Sequence, residues 1–304
     1  MLAGFEEAFP GVAAVSVIRA LMSGMIDYAG LFPPAALDMK SVVRNYAEYA
    51  SGDESWALGS LIVPASRLSE FTDVFNEVCC NEREKAWLVS VLGSDDPLDN
   101  GTRIAAFAQG AVLIDAIEVI AATPEDAERL LSELPDGLIP YVEFPPDKTS
   151  EILPVLARNG ARAKIRMGGL TPDAFPDSAA VARFLIACAD SQVPFKATAG
   201  LHHAVRDSYP LGYDADSPSA TMHGFVNVFL AAALTWLGKE EDSVVATLDE
   251  ESPKEFRFTE DTVRWHGNAL TIGQIGSMRR DFGIDFGSCS FEEPIEEVKA
   301  LGWL

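Results

Sequence analysis

The sequence predicts an α/β fold, an eight-stranded (β/α)8 TIM barrel forming a single domain, and three observations carry that prediction. Eight short apolar segments alternate along the chain with helix-patterned segments. The strand segments are mostly apolar and do not alternate cleanly, as expected of parallel strands covered by helices. No GxGxxG follows an early strand, and neither GxxxxGKS nor GxxxxGKT occurs. The nucleotide loop of the alternative architecture, an open and mostly parallel sheet, is therefore unmarked.

The elements follow in order. Val12, Val15, Ile18 and Leu21 give residues 1–25 a partly helical pattern, an extension ahead of the barrel. MIDYAGLFPP holds the first strand and turns at Pro33 and Pro34. A helix pattern over 37–51 leads to a strand at 57–64, stopped by Pro64. Helix 66–82 precedes a strand at 85–93, helix 100–109 and a strand at 114–121. Thr123 caps the next helix, with Asp126 three positions on, close to the capping-box pattern. GLIPYVEFP is the fifth strand, helix 148–159 ends at Gly160, and ARAKIRM is the sixth strand. Helix 178–190 precedes VPFKAT, the seventh. An insertion over 207–268 follows, with an apolar helix at 221–237 and a less regular region around 240–268. A helix at 270–281, the strand GIDFGSC and the helix EEPIEEVKALG complete the set.

Composition narrows the function classes. The 304 residues are 48% hydrophobic, enough for a substantial core, and carry a formal charge of -23. Such a charge argues against nucleic acid and anionic membranes as partners, while a local basic pocket would still accept a small anion. The longest apolar helix candidate, Phe225 to Leu237, is too short to span a bilayer. Cys79, Cys80, Cys188 and Cys289 form no CxxC pair, and Glu6 and Glu7 do not suit a signal peptide. Reduced thiols in a cytoplasmic location are expected.

Strand side chains alternate faces, which sorts the charges. With Ala163, Ile165 and Met167 towards the helices, Lys164 and Arg166 face the barrel interior. Lys196 and Thr198 face in from the seventh strand, Tyr141 and Glu143 from the fifth, and Glu118 from the fourth. Barrel interiors are ordinarily filled with branched apolar residues, and catalytic groups sit at the C-terminal strand ends. Glu118, Glu143, Lys164 and Lys196 are thus the catalytic candidates, against the plainer reading of a self-satisfied ion-pair network.

Three of the four histidines, His202, His203 and His223, follow the seventh strand, while His266 beside Trp265 reads as an ordinary surface or packing residue. His202 and His203 are candidates for substrate contact or proton movement. Arg166 and Arg206 suit a carboxylate or phosphate. Gly168, Gly169 and Gly200, and the GSCSFEEP stretch with Ser288, offer close backbone approach to such a group. Cys289 then points out of the barrel as a buried thiol. Asp27 either walls the cavity or caps the first strand's turn.

The segments AKIRMGG and FKATAGLHHAVR resemble the sixth and seventh strands of deoxyribose-phosphate aldolase, a barrel enzyme that forms Schiff bases. The resemblance implies that Lys164 is the nucleophile and Lys196 its perturbing neighbour. The residues after Lys164 differ from that family, and His202 and His203 interrupt the second stretch. The chain as a whole also resembles a bacterial protein family that implies no mechanism.

Three functions stay open. In the first, neutral Lys164 attacks a small carbonyl compound bearing carboxylate or phosphate, the Lys196 ammonium favours the neutral amine, Glu143 shuttles the proton and Arg166 clamps the anion. It needs no cofactor. In the second, Glu118, Glu143 and His202 or His203 hold a divalent metal for a lyase, isomerase or hydrolase. In the third, the barrel only binds. A homo-oligomer is compatible with all three, and the insertion after strand seven is a candidate lid over 207–222.

Overall fold

The structure, a computed structural model, describes residues 16–79, 86–107, 111–214 and 216–304. Eight parallel strands close into a barrel: β1 (Ile26–Tyr28), β2 (Leu58–Pro64), β3 (Trp87–Leu92), β4 (Val112–Ile120), β5 (Ile139–Glu143), β6 (Arg162–Arg166), β7 (Phe195–Thr198) and, last in the chain, β13 (Gly283–Ser288). Each pairs with its sequence neighbour, and β13 closes the ring between β7 and β1. The register sets Glu143, Lys164 and Lys196 level across three strands, and places Glu118 opposite Tyr141.

Helices cover the barrel: α1 (Val17–Met22), α2 (Met39–Ser51), α3 (Leu68–Val78), α4 (Pro97–Ala106), α5 (Pro124–Ser132), α6 (Thr149–Asn159) and α7 (Ser178–Asp190). Their starts follow local chemistry. The side chains of Asp38, Asp96, Thr123 and Asp177 each accept from a backbone N–H of the first turn. Gly160, at φ 63, takes the left-handed conformation that stops α6. The sequence placed α4 at 100–109, but it starts at Pro97, because Asp96 caps it and proline suits the first helical turn. Residues 108–109 of that expected helix lie outside the described residues, as do 80–82 of the helix expected at 66–82 and residues 1–15 of the extension.

Beyond β7 the chain forms an antiparallel hairpin of β8 (Asp207–Pro210) and β9 (Ser219–Met222). The helix expected at 221–237 is α8 (Phe225–Trp236). It starts later because β9 occupies 219–222, and because Gly224 lies hard against the loop after β7; a Cβ there would stand 2.3 Å from the Ala204 carbonyl. The region around 240–268 is more regular than its sequence suggested. It contains α9 (Glu241–Asp249) and the antiparallel sheet β10 (Arg257–Phe258), β11 (Thr262–Trp265) and β12 (Asn268–Thr271). These strands of two to four residues are too short for alternation to show in the sequence. α10 (Ile272–Asp281), opened by a Thr271–Gln274 capping box, and α11 (Glu292–Ala300) bracket β13.

The apolar core lies between barrel and helices, with Ile117, Val142, Ala163, Ala197 and Phe286 on the outer strand faces. α8 is buried from Phe225 to Thr235 and stacks Phe229 near Phe195. Much of the barrel interior is held by polar groups, with Asp27, Glu118, Lys164 and Lys196 buried there. Among the described residues no helix is long and apolar enough to cross a membrane.

Candidate active site

The inward charges build a column along the barrel axis. Low in the barrel, the Arg162 guanidinium donates to the Tyr141 hydroxyl at 2.7 Å, which donates to Asp285 Oδ2 at 3.2 Å. Above them the Lys196 ammonium, 1% exposed, meets Asp27 Oδ2 at 2.5 Å, Glu118 Oε1 at 2.8 Å and Asp285 Oδ1 at 3.1 Å. The last contact is an ion pair outside hydrogen-bond geometry, since Asp285 Oδ1 has no hydrogen-bond partner. The ammonium also stands 4.9 Å from the centre of the Tyr141 ring.

Glu118 is the hinge of the arrangement. Its Oε1 takes Lys196 and the Ser90 hydroxyl, and its Oε2 takes the Lys164 ammonium at 2.8 Å. One carboxylate therefore holds both lysines. Lys164 also lies 3.2 Å from Glu143 Oε2, and Glu143 Oε1 accepts from Arg166 at 2.8 Å.

Burial without pairing would cost several kcal/mol for each of these ions. Burial alone would lower the Lys196 pKa, but Asp27, Asp285 and Glu118 together raise it well above the usual lysine value. Burial would raise Glu118, and the two ammonium groups instead hold it well below the carboxylate range. Asp27 goes the other way. Burial, then repulsion from Asp285, pushes it well up against the pull of Lys196. The column thus keeps Lys196 cationic and Glu118 anionic across the ordinary pH range.

The column opens upwards into a cavity of about 540 Å³ at the C-terminal strand ends, reached by Glu118, Glu143, Lys164, Arg166, Lys196 and Thr198. His202 and His203 line it from the loop after β7, where Ala199 at φ 59 and Gly200 at φ 71 turn the chain over the barrel mouth. Of the other expected site residues, Asp27 lies beneath Lys196 and accepts from the Ser60 N–H instead of walling the cavity. Ser288 reaches His202 Nδ1 at 3.4 Å from just outside the cavity lining. Arg206 is turned away, with Asp249 at 3.8 Å and Glu251 at 3.7 Å. The four expected metal ligands do not converge. Glu118 and Glu143 surround Lys164, His203 stacks on Tyr209, and no metal-holding group of three such side chains occurs among the described residues.

The sequence reading passed over Asp285, although it shares a face with Gly287 in an apolar strand and so gives the same signal as Glu118. It also read Cys289 as a plain buried thiol. Cys289 Sγ lines the cavity 3.8 Å from His202 Nδ1 and 3.9 Å from the Tyr213 hydroxyl. Glu293 lies 3.6 Å from the same imidazole. Burial would lower His202, but Cys289 and Glu293 lift it to about 9, and burial's upward push on Cys289 is overcome by the imidazolium beside it. No sequence spacing announces that pair, which joins two loops.

No family model matches this chain, and no curated protein does. Among solved structures it is similar to the deoxyribose phosphate aldolase of Aeropyrum pernix, described as having a unique tetrameric structure. Sequence identity is 12%, the TM-score is 0.43, and the match covers 62% of this chain and 85% of that one. A likeness that loose says nothing of what this chain does.

Proposed function

We propose that this protein forms a Schiff base between Lys164 and a small carbonyl compound, and makes or breaks a carbon–carbon bond beside that carbonyl. The observation that carries the reading is the pair of buried lysines held on one carboxylate, Glu118, at the floor of an open cavity. In the first step the Lys164 ammonium passes a proton to Glu143, 3.2 Å away. The free amine adds to the carbonyl carbon, and the carbonyl oxygen leaves as water after taking two protons. The resulting iminium accepts the electron pair released when the adjacent carbon–carbon bond breaks, while the hydroxyl on the departing carbon loses its proton and becomes a carbonyl. The enamine left on Lys164 is then protonated and water hydrolyses the imine, and the same steps run backwards in condensation. Lys196, locked as an ammonium by three carboxylates, takes no covalent part and fixes Glu118 in place.

The iminium is the electron sink, so the proposed chemistry uses no cofactor. The carboxylate or phosphate expected on the substrate would have to meet Arg166, which Glu143 already engages. We extend the proposal to a cytoplasmic location and a homo-oligomer, the latter read by light scattering of the purified protein.

Borohydride reduction in the presence of small aldehydes and 2-oxo acids, followed by peptide mass spectrometry, tests the chemistry. The expected adduct is on Lys164, is lost in Lys164→Ala, and keeps its yield when a chelator is added. An adduct that survives Lys164→Ala sinks the assignment. A folded protein that forms no adduct with any carbonyl favours the second reading, a non-catalytic binding barrel, which the full pairing of both lysines also suits.

A further inference from the structure

The cavity mouth differs chemically from its floor. Among the described residues the basic side chains there already meet carboxylates: Arg166 meets Glu143, His202 lies 3.6 Å from Glu293, and the His203 ring lies 3.6 Å from Glu297. A large apolar ring also packs on the glycine loops. A Cβ on Gly168 would stand 2.4 Å from the Phe175 ring, and one on Gly200 would stand 2.9 Å from it. Phe175 therefore lies against the turns after β6 and β7 and lines the cavity beside Gly169 and Gly200, giving that part of the wall an apolar surface. Its ring joins a small apolar cluster with Leu211, Ala220 and Met222 of the hairpin.

Opposite the charged floor, large apolar side chains face open space. Ile120 is 59% exposed, Leu170 64% and Tyr213 63%, and all three line the cavity with Phe32 and Ile62. Scattered exposed hydrophobics are ordinary on a surface, but these converge on one concave site of ligand size. The overall charge of -23 adds a field that repels anions.

We infer that the cavity takes a carbonyl compound whose distal arm is apolar and uncharged, an aliphatic or aromatic aldehyde or ketone, and that Phe175 and Leu170 select it over a phosphorylated one. The carbonyl half of this rests on the Schiff-base reading. The apolar arm rests on the cavity wall alone, so the two are tested separately.

Straight-chain alcohols from propanol to hexanol, which form no Schiff base, are titrated against the whole protein by ligand-observed NMR beside glycerol 3-phosphate. Affinity is expected to rise about fourfold per added methylene until the wall is covered. Leu170→Ser, at an exposed position, should flatten that rise, and Phe175→Ser should weaken hexanol and admit glycerol 3-phosphate. In parallel, borohydride trapping should favour hexanal over propanal and glyceraldehyde 3-phosphate. Glycerol 3-phosphate bound more tightly than hexanol, or an affinity independent of chain length, overturns the apolar arm. A normal rise with chain length but no adduct from any aldehyde upholds the apolar arm and removes the Schiff base.

Discussion

Replacing Lys196 with Met takes the one ammonium away from Asp27, Glu118 and Asp285 while keeping a long apolar stem in the barrel. Glu118 retains Lys164 and Ser90, but Asp27 and Asp285 lose their cation in a site almost closed to water. Breaking a buried ion pair from one side costs about 3–5 kcal/mol. With an unfolding entropy of about 2.1 cal/mol/K per residue, a chain this long loses roughly 5–8 °C of Tm. The pH dependence gives the sharper test. In the native protein the Lys196 pKa is raised, so its stabilisation is complete below the unfolded lysine value of about 10.4 and is lost only as pH rises through the higher folded value. Between pH 5 and 8 it contributes no slope. Asp27, already raised in the native protein, lowers its stability as pH rises through the folded value. Removing the ammonium raises it further, so the variant's stability falls more steeply with pH, by up to about 1.4 kcal/mol per unit for one extra proton held. That is about 2 °C of Tm per pH unit. Thermal unfolding of both proteins at pH 5, 6, 7 and 8 measures the difference. An equal loss of Tm at pH 5 and pH 8 would refute the claim that Lys196 stabilises by neutralising these carboxylates. Trapping on Lys164 should slow by about a hundredfold in the same variant, as the fixed charge that positions Glu118 is gone.

The remaining predictions concern separate parts of the molecule. Arg279 is buried beneath the barrel, donating to the carbonyl oxygens of Leu21, Ser23, Gly283 and Ile284. Arg279→Met should cost about 3–5 kcal/mol in denaturant unfolding by leaving these acceptors unpaired, while the apparent affinity for carbonyl compounds stays unchanged. Cys289, lowered by His202, should react with iodoacetamide at pH 7 well ahead of Cys188, whose thiol burial pushes up; His202→Asn should slow it, and equal rates for the two cysteines would be the contrary result. If the β8–β9 hairpin is a lid, a bound carbonyl compound should slow proteolytic cleavage within 207–222. Unchanged cleavage under saturating ligand would leave the hairpin a fixed wall.

Much of the site is legible in the sequence because a strand has a period of two. A lysine or glutamate inside an apolar run must face either the helices or the axis, and Lys164, Lys196, Glu118 and Glu143 all fall on the axial side once their neighbours are packed outwards. Asp285 carries the same signal, an acidic residue within the apolar strand that ends at Ser288. Arg206 shows the opposite limit. It follows the seventh strand in a loop, where no periodicity fixes direction, and it turns towards Asp249 and Glu251. The small sheet β10–β12 was hidden for a related reason: in strands of two to four residues, pairing partners and not pattern decide the structure.

The sequence by itself determined the barrel, through eight apolar segments spaced by helices, and it determined that charged side chains enter the barrel's axis. Tertiary structure alone decided what those charges do to one another. Glu118 is shared between two lysines because closure of the barrel aims side chains of β4, β6 and β7 at one axis, and His202 finds Cys289 because the loops after β7 and β13 approach each other 87 residues apart in sequence. The same holds for Phe175, seated on glycines of two loops. Strand periodicity is a local property of the backbone, whereas charge balance and cavity shape depend on distances between segments that only closure of the barrel fixes.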